Sequence, residues 1–206
     1  MSSLPPIRFR ATLAAALLLL APWPADAADT NGRFAIKGAG LGDCADFLAQ
    51  RELQSTDFYL YAGWIDGYLT AYNRFRSDTY DVAPWQTTEL LAGLVAGYCK
   101  RHPTENFAGV VDKLLTKLHR ERLAQGSALV DAVHKGHHAL VYEQVLERVA
   151  RALNARGIEL ATRPGVFDGA FAQALEQFQK QAGIPVTGLP DYLTLYRLFD
   201  QRAAVK

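Results

Sequence analysis

The stretch "PGVFDGAFAQALEQFQKQAGIPVTG", Pro164 to Gly188, sets one short amphipathic helix between two glycine-bearing turns. Phe171, Ala174, Leu175 and Phe178 recur at three- and four-residue steps, so the spacing predicts a helix from about Ala170 to Ala182 with those side chains inward. Gly183 stops it, since a residue in the left-handed conformation closes many helices. "IPVTGLP" turns the chain, Asp191 can cap, and Tyr192 to Phe199 makes a last helix with Leu195 and Leu198 inside.

Upstream, Val141, Val145, Val149, Ala152 and Leu153 predict a helix from Leu140 to Ala155, closed by Gly157 in "NARG". Three short helices in about sixty residues bury little apolar surface, so glycine and proline geometry must fix their loops. The preceding "AQGSALVDAVHKGHH" reads as a connector around one short helical piece. His134, His137 and His138 read as solvated linker side chains. Two of them are adjacent, and no cysteine or acidic partner stands at metal-ligand spacing.

The other half is also helical in pattern. Asp43 can cap a helix beginning at Cys44, with Phe47 and Leu48 inward. A second helix, Asp57 to Phe75, carries a stripe of Phe58, Tyr61, Ile65, Tyr68, Leu69 and Tyr72. Gly63 and Gly67 in it cost roughly 1 kcal/mol each relative to alanine, which is expected to be offset by close approach of another helix or of Trp64. Leu90, Leu91, Leu94, Val95 and Tyr98 define a third helix, Thr87 to Lys100. Phe107, Val110, Val111, Leu114, Leu115 and Leu118 define a fourth, Thr104 to Ala124, with Pro103 at its first turn.

The chain begins with Arg8 and Arg10, an apolar run from Ala11 to Ala21, and "PWPADA". This is the layout of a secretory signal peptide cleaved after Ala27, and the run is about half the ~20 residues of a bilayer span. Removing Arg8, Arg10 and Asp26 leaves 20 basic and 20 acidic residues in the mature chain. A neutral chain without a basic stripe or a reader motif does not read as a nucleic-acid binder. Only two cysteines occur, Cys44 and Cys99. In an oxidising compartment such a pair reads as a disulfide. A reactive thiol or half a metal site is the rival reading, disfavoured by the lack of CxxC or a nearby histidine cluster.

Two resemblances follow from quoted motifs. "GAGLGDCADFLAQR", "WIDGYLTAYN" and "YCKRHP" resemble a group of small secreted two-cysteine helical bacterial proteins of unknown function and, more distantly, periplasmic acid-stress chaperones. "LNARG", "PGVFDGAFAQALEQFQKQAGIPVTG" and "TLYRL" resemble the peptidoglycan-binding domain type 1 family, with Leu153, Asn154, Gly157, Phe178, Gln179, Gly183, Pro185, Gly188 and Thr194 at motif positions. Pro164, Asp168 and Phe171 depart from the family pattern, all in or beside one loop.

The second resemblance implies a three-helix wall-binding domain. The expected organisation is all-α: a signal peptide (1–27), a disulfide-closed four-helix module (28–124), a linker (125–138) and a peptidoglycan-binding-like domain (139–206). Wall material offers N-acetyl sugars, amides and stem-peptide carboxylates. Arg163, Asp168, Gln179, Tyr192 and the amides opening the Phe171 helix are the candidate contacts. No cofactor or metal is expected.

Wall-binding modules often accompany hydrolases, but the chain carries no G-x-S-x-G elbow, H-E-x-x-H helix or Cys/His arrangement. Asp46, Asp57, Asp66 and Glu89 are carboxylates near aromatic residues and are expected to be solvated. The resulting expectation is a non-catalytic periplasmic or secreted envelope protein that binds peptidoglycan, with a partner for its first module. A chaperone-like or protein-docking role is the alternative, and a wall hydrolase the third.

Overall fold

Short polar caps decide where most helices start. Asp43 accepts the Asp46 amide at 2.9 Å and opens α1 (Cys44–Glu52). Ser55 opens α2 (Thr56–Phe75), Thr87 opens α3 (Thr88–Cys99), and Asn106 opens α4 (Phe107–Leu118), each through its side-chain oxygen. The computed structural model describes residues 29, 31, 33–160 and 162–199, so the expected signal peptide lies outside the described residues. The chain divides into Met1–Ala35 and Ile36–Lys206. In the first unit the Asp29 carboxylate accepts the amides of Asn31 and Arg33 at 2.9 and 2.8 Å, a local turn.

In the second unit, α1 to α4 enclose one apolar cluster. Phe47, Ile65, Leu91, Val95, Phe107, Val111 and Leu115 are all but fully buried in it. The Phe47, Tyr61 and Phe107 rings meet at centroid distances of 4.8 to 5.5 Å. Cys44 and Cys99 form the expected disulfide inside this cluster. The inward stripes hold with one exception: Leu94 is 37% exposed, on the outer side of α3.

Two further expectations are corrected. Pro103 does not open a helix. Residues 103–106 instead strap the start of α1, where the carbonyls of Pro103 and Glu105 accept the amides of Ala45 and Cys44, both at 2.9 Å. The reason is Asn106, whose amide both caps α4 and donates to the carbonyls of Gly40 and Gly42 at 3.1 Å. A 3-10 turn, His119–Glu121, then replaces the end of the expected longer helix. Gly63 and Gly67 face open space, with nothing within 4 Å of either. The close approach to Trp64 occurs at Gly40, where a Cβ would fall 2.4 Å from the indole ring.

The all-α expectation and the short helical piece in residues 125–138 are corrected by a β-hairpin, β1 (Leu129–His134) with β2 (His137–Tyr142), paired antiparallel from Leu129↔Tyr142 to His134↔His137. Its two-residue turn, Lys135-Gly136, has positive φ at both positions, 51° and 79°, as a type I′ hairpin turn requires. Val130, Ala132, Ala139 and Val141 face the second apolar cluster. That cluster lies among α5 (Glu143–Asn154), α6 (Gly169–Ala182) and α7 (Tyr192–Phe199), with Leu146, Leu153, Phe171 and Leu175 among its largest fully buried side chains. Helix α5 starts three residues later than periodicity suggests, because Leu140 to Tyr142 belong to β2. Gly183 closes α6 at φ 63°, as expected.

The two halves of this unit touch. The Arg148 guanidinium on α5 donates to the carbonyl of Arg122 at 2.9 Å and to that of Glu121. The Tyr80 and Tyr142 rings meet edge-on, and Trp85 packs on Phe199 at 5.5 Å. Burial beside Asp81 and Tyr80 pushes the Tyr142 phenol up to about 12, so Tyr142 is neutral at any physiological pH.

Candidate functional site

The surface around α6 is shaped by two bends, each held by a buried or capped polar group. The first bend spans residues 160–168. Asn154, at the end of α5, accepts the Leu160 amide at 2.8 Å, and Gly165 turns the chain at φ 77°. Asp168 then caps α6, accepting from the Phe171 amide at 2.9 Å and from the Thr162 hydroxyl at 3.2 Å. The Asp168 carboxylate therefore already lies on the helix amino-terminus that was expected to receive a ligand anion. The consequence is that Asp168 fixes the loop's shape while staying exposed, and Arg163 is the cation this loop offers to solvent.

The second bend runs from Gly183 to Asp191, and Gln179 is its centre. This side chain is fully buried. Its Nε2 donates to Thr187 Oγ1 (2.9 Å), the Leu189 carbonyl (3.1 Å) and Thr194 Oγ1 (2.8 Å), while its Oε1 accepts the Gly188 amide at 2.8 Å. Thr187 donates onward to Asp191, whose other oxygen caps α7 through the Thr194 amide at 2.9 Å. Gln179 was expected to contact ligand; with no exposed surface and both ends of its amide engaged, it supports the bend from inside. Tyr192, the next residue, is 57% exposed. The exposed candidates are thus Arg163 and Asp168 on the first bend and Tyr192 at the start of α7, just past the second. Phe167 and Phe178 pack in the apolar cluster.

Residues 144–198 match the family model described as "Putative peptidoglycan binding domain". No curated protein and no solved structure matches the chain. The matched segment contains both bends, and its description supports peptidoglycan binding for this part of the chain.

A clasp between the hairpin, which lies outside the matched segment, and α6 within it escaped the sequence reading. At the hairpin tip, His134 Nε2 and Lys135 Nζ meet the Glu176 carboxylate of α6 at 3.0 and 2.6 Å. These hydrogen bonds hold the Glu176 carboxyl down at about 2. The His134 ring also lies over the second bend: Gly188 sits at φ 67°, and a Cβ there would fall 2.6 Å from the ring carbon Cδ2. His134 is thus a bonded, partly covered residue, while His138 pairs with Asp131 at 3.2 Å along the hairpin. Alternation in "LVDAVHKGHHALVY" around a Lys-Gly pair was the available signal.

Three of the four carboxylates near aromatic residues have structural partners. Asp46 completes the α1 capping box, Asp66 accepts from Thr88 at 2.9 and 3.0 Å, and Glu89 pairs with Arg51 at 2.8 Å. Asp57 lies exposed in the first turn of α2. Among the described residues no group of three or more His, Cys, Asp or Glu is arranged to hold a metal ion, and no helix is long and apolar enough to cross a membrane.

Proposed function

We propose that the protein is a non-catalytic, exported envelope protein that grips peptidoglycan with the surface built on α5 to α7. Residues 139–206 would act as the wall-binding domain, and residues 28–124 as a disulfide-closed module that meets another envelope protein. The family match over residues 144–198 carries this reading. The buried amide network beneath Gly188 supports it, because it fixes the bend that leads into the exposed Tyr192, while the Asp168 cap fixes the bend that carries the exposed Arg163. The partner role is supported by the apolar side chains that α2 leaves in solvent, Tyr59 and Leu60, beside the open Gly63 and Gly67 positions, and by the exposed Leu53 at the end of α1.

Sedimentation of the mature chain with purified sacculi tests the reading. The chain is expected in the pellet, and Arg163→Glu with Tyr192→Ala is expected to move most of it to the supernatant. A chain that stays in the supernatant across pH and salt contradicts wall binding, and clearing of the wall in a zymogram contradicts the non-catalytic assignment.

A further inference from the structure

Three cavities run together where α7 meets α3 and α4. One of about 440 Å³ and one of about 190 Å³ share Leu94, Leu118, Glu121 and Tyr196, and the smaller shares Trp85, Glu121 and Phe199 with a third of about 400 Å³. Together they form one trough, floored by Leu118 and walled by aromatic rings contributed from both halves of the unit. From Leu90 to Tyr98 the trough follows α3 for about 12 Å, at 1.5 Å per helical residue, and Arg101 lines it just past the helix end. An extended peptide covers that helical length in about four residues.

The charges along this trough are unequal. Arg101, Lys113 and Lys117 line one end and Arg120 and Arg148 the other, whereas Glu121 is the acid that lines it. Lys113 is matched by Glu105, which lies nearby. None of the ion pairs among the described residues includes Arg101, Lys117, Arg120 or Arg148. Arg148 is partly buried and its guanidinium donates to carbonyl oxygens, and its burial lowers its affinity for the proton. A ligand with carboxylates near both ends and a backbone between them is complementary to this trough: the cations take its charge, and Trp85, Tyr196 and Phe199 line its middle.

We propose that the trough between α3, α4 and α7 is a second binding site, which takes a short extended peptide bearing several carboxylates, the stem peptide of the wall. The carboxylate chemistry follows from the trough's own residues, and the choice of a wall peptide rests on the proposed function. Tyr196 belongs to the segment that matches the wall-binding family and lies one helical turn from Tyr192 on α7. The helical module is then part of the wall-binding apparatus rather than a partner platform alone.

Calorimetric titration of the mature chain with a soluble glycan fragment carrying its stem peptide tests this. Saturable binding is expected, weakening steeply with salt because the contacts are ionic. Arg101→Glu with Lys117→Glu changes two exposed positions, so its melting curve should match the parent's, and its affinity for the fragment is expected to fall about tenfold or more. Amidating the fragment's carboxylates should do the same. Unchanged affinity in the variant, or equal binding of stem-free glycan strands, overturns the site. Equal binding of pentaglutamate overturns its assignment to the wall. Retention on sacculi without stem-peptide binding overturns the trough and leaves the wall-binding function standing, whereas stem-peptide binding without sacculus retention overturns that function.

Discussion

The two apolar clusters of this chain are fixed by different means. Around α1 to α4, wide aromatic burial and a covalent bridge hold four helices, and the polar groups mostly serve as caps at helix starts. Around α5 to α7, the helices are short and a single buried amide, Gln179, dictates the path of the chain between two of them. The difference teaches that the second region is specified by its bends. A surface made of bends is more sensitive to one polar atom than to one methylene, because an orphaned buried amide loses its full solvation.

The disulfide offers the largest test of this contrast. In the chain-entropy picture, closing 55 residues of separation contributes about 4 kcal/mol. Reduction is expected to lower the melting temperature markedly and to loosen α1 to α4, while amides of α5 to α7 keep their hydrogen-exchange protection. Equal loss of protection in both regions would erase the distinction. Gln179→Ala is the reciprocal experiment. It strips the Gly188 amide of its acceptor and opens a cavity, with an expected cost of about 2–4 kcal/mol and exchange accelerated over residues 183–191, at an unchanged aromatic core.

A smaller effect is expected from Gly188→Ala, which places a side chain at φ 67° against the His134 ring and should cost more than about 1 kcal/mol. Adding His134→Ala should recover part of that loss; strict additivity in the double-mutant cycle would show that the ring is not the obstacle. The smallest effect is acid dependence. Glu176 is held at about 2, below the ~4.3 of an unfolded glutamate, so stability from its clasp is complete above about pH 4.5 and disappears as pH falls toward 2. Glu176→Gln should flatten that part of the pH–stability curve; an identical acid limb would place the lability elsewhere.

Helix faces were legible in the sequence because burial imposes a period, and Phe47, Val111, Phe171 and Leu175 all lie where that period puts them. Caps at Asp43 and Asp191 were legible because the residue type carries its own hydrogen bond. The hairpin was hidden by its brevity and by three histidines that resemble a linker, although Lys135-Gly136 is a turn signature. The inward role of Gln179 was hidden for a related reason: a family position with a polar side chain suggests ligand contact, and only the packing of Thr187, Leu189 and Thr194 around it reveals that the side chain is buried. Where Gly63 and Gly67 point was likewise a matter of which helix face finds a neighbour, and periodicity does not say what lies beyond the helix.

Hydrogen exchange of the mature chain with and without saturating soluble wall fragments tests the central claim most directly. Slowed exchange over residues 162–168, the bend that carries Arg163, and 183–192, the bend that runs into Tyr192, is the predicted result. An unchanged exchange pattern across both bends under saturation would contradict it.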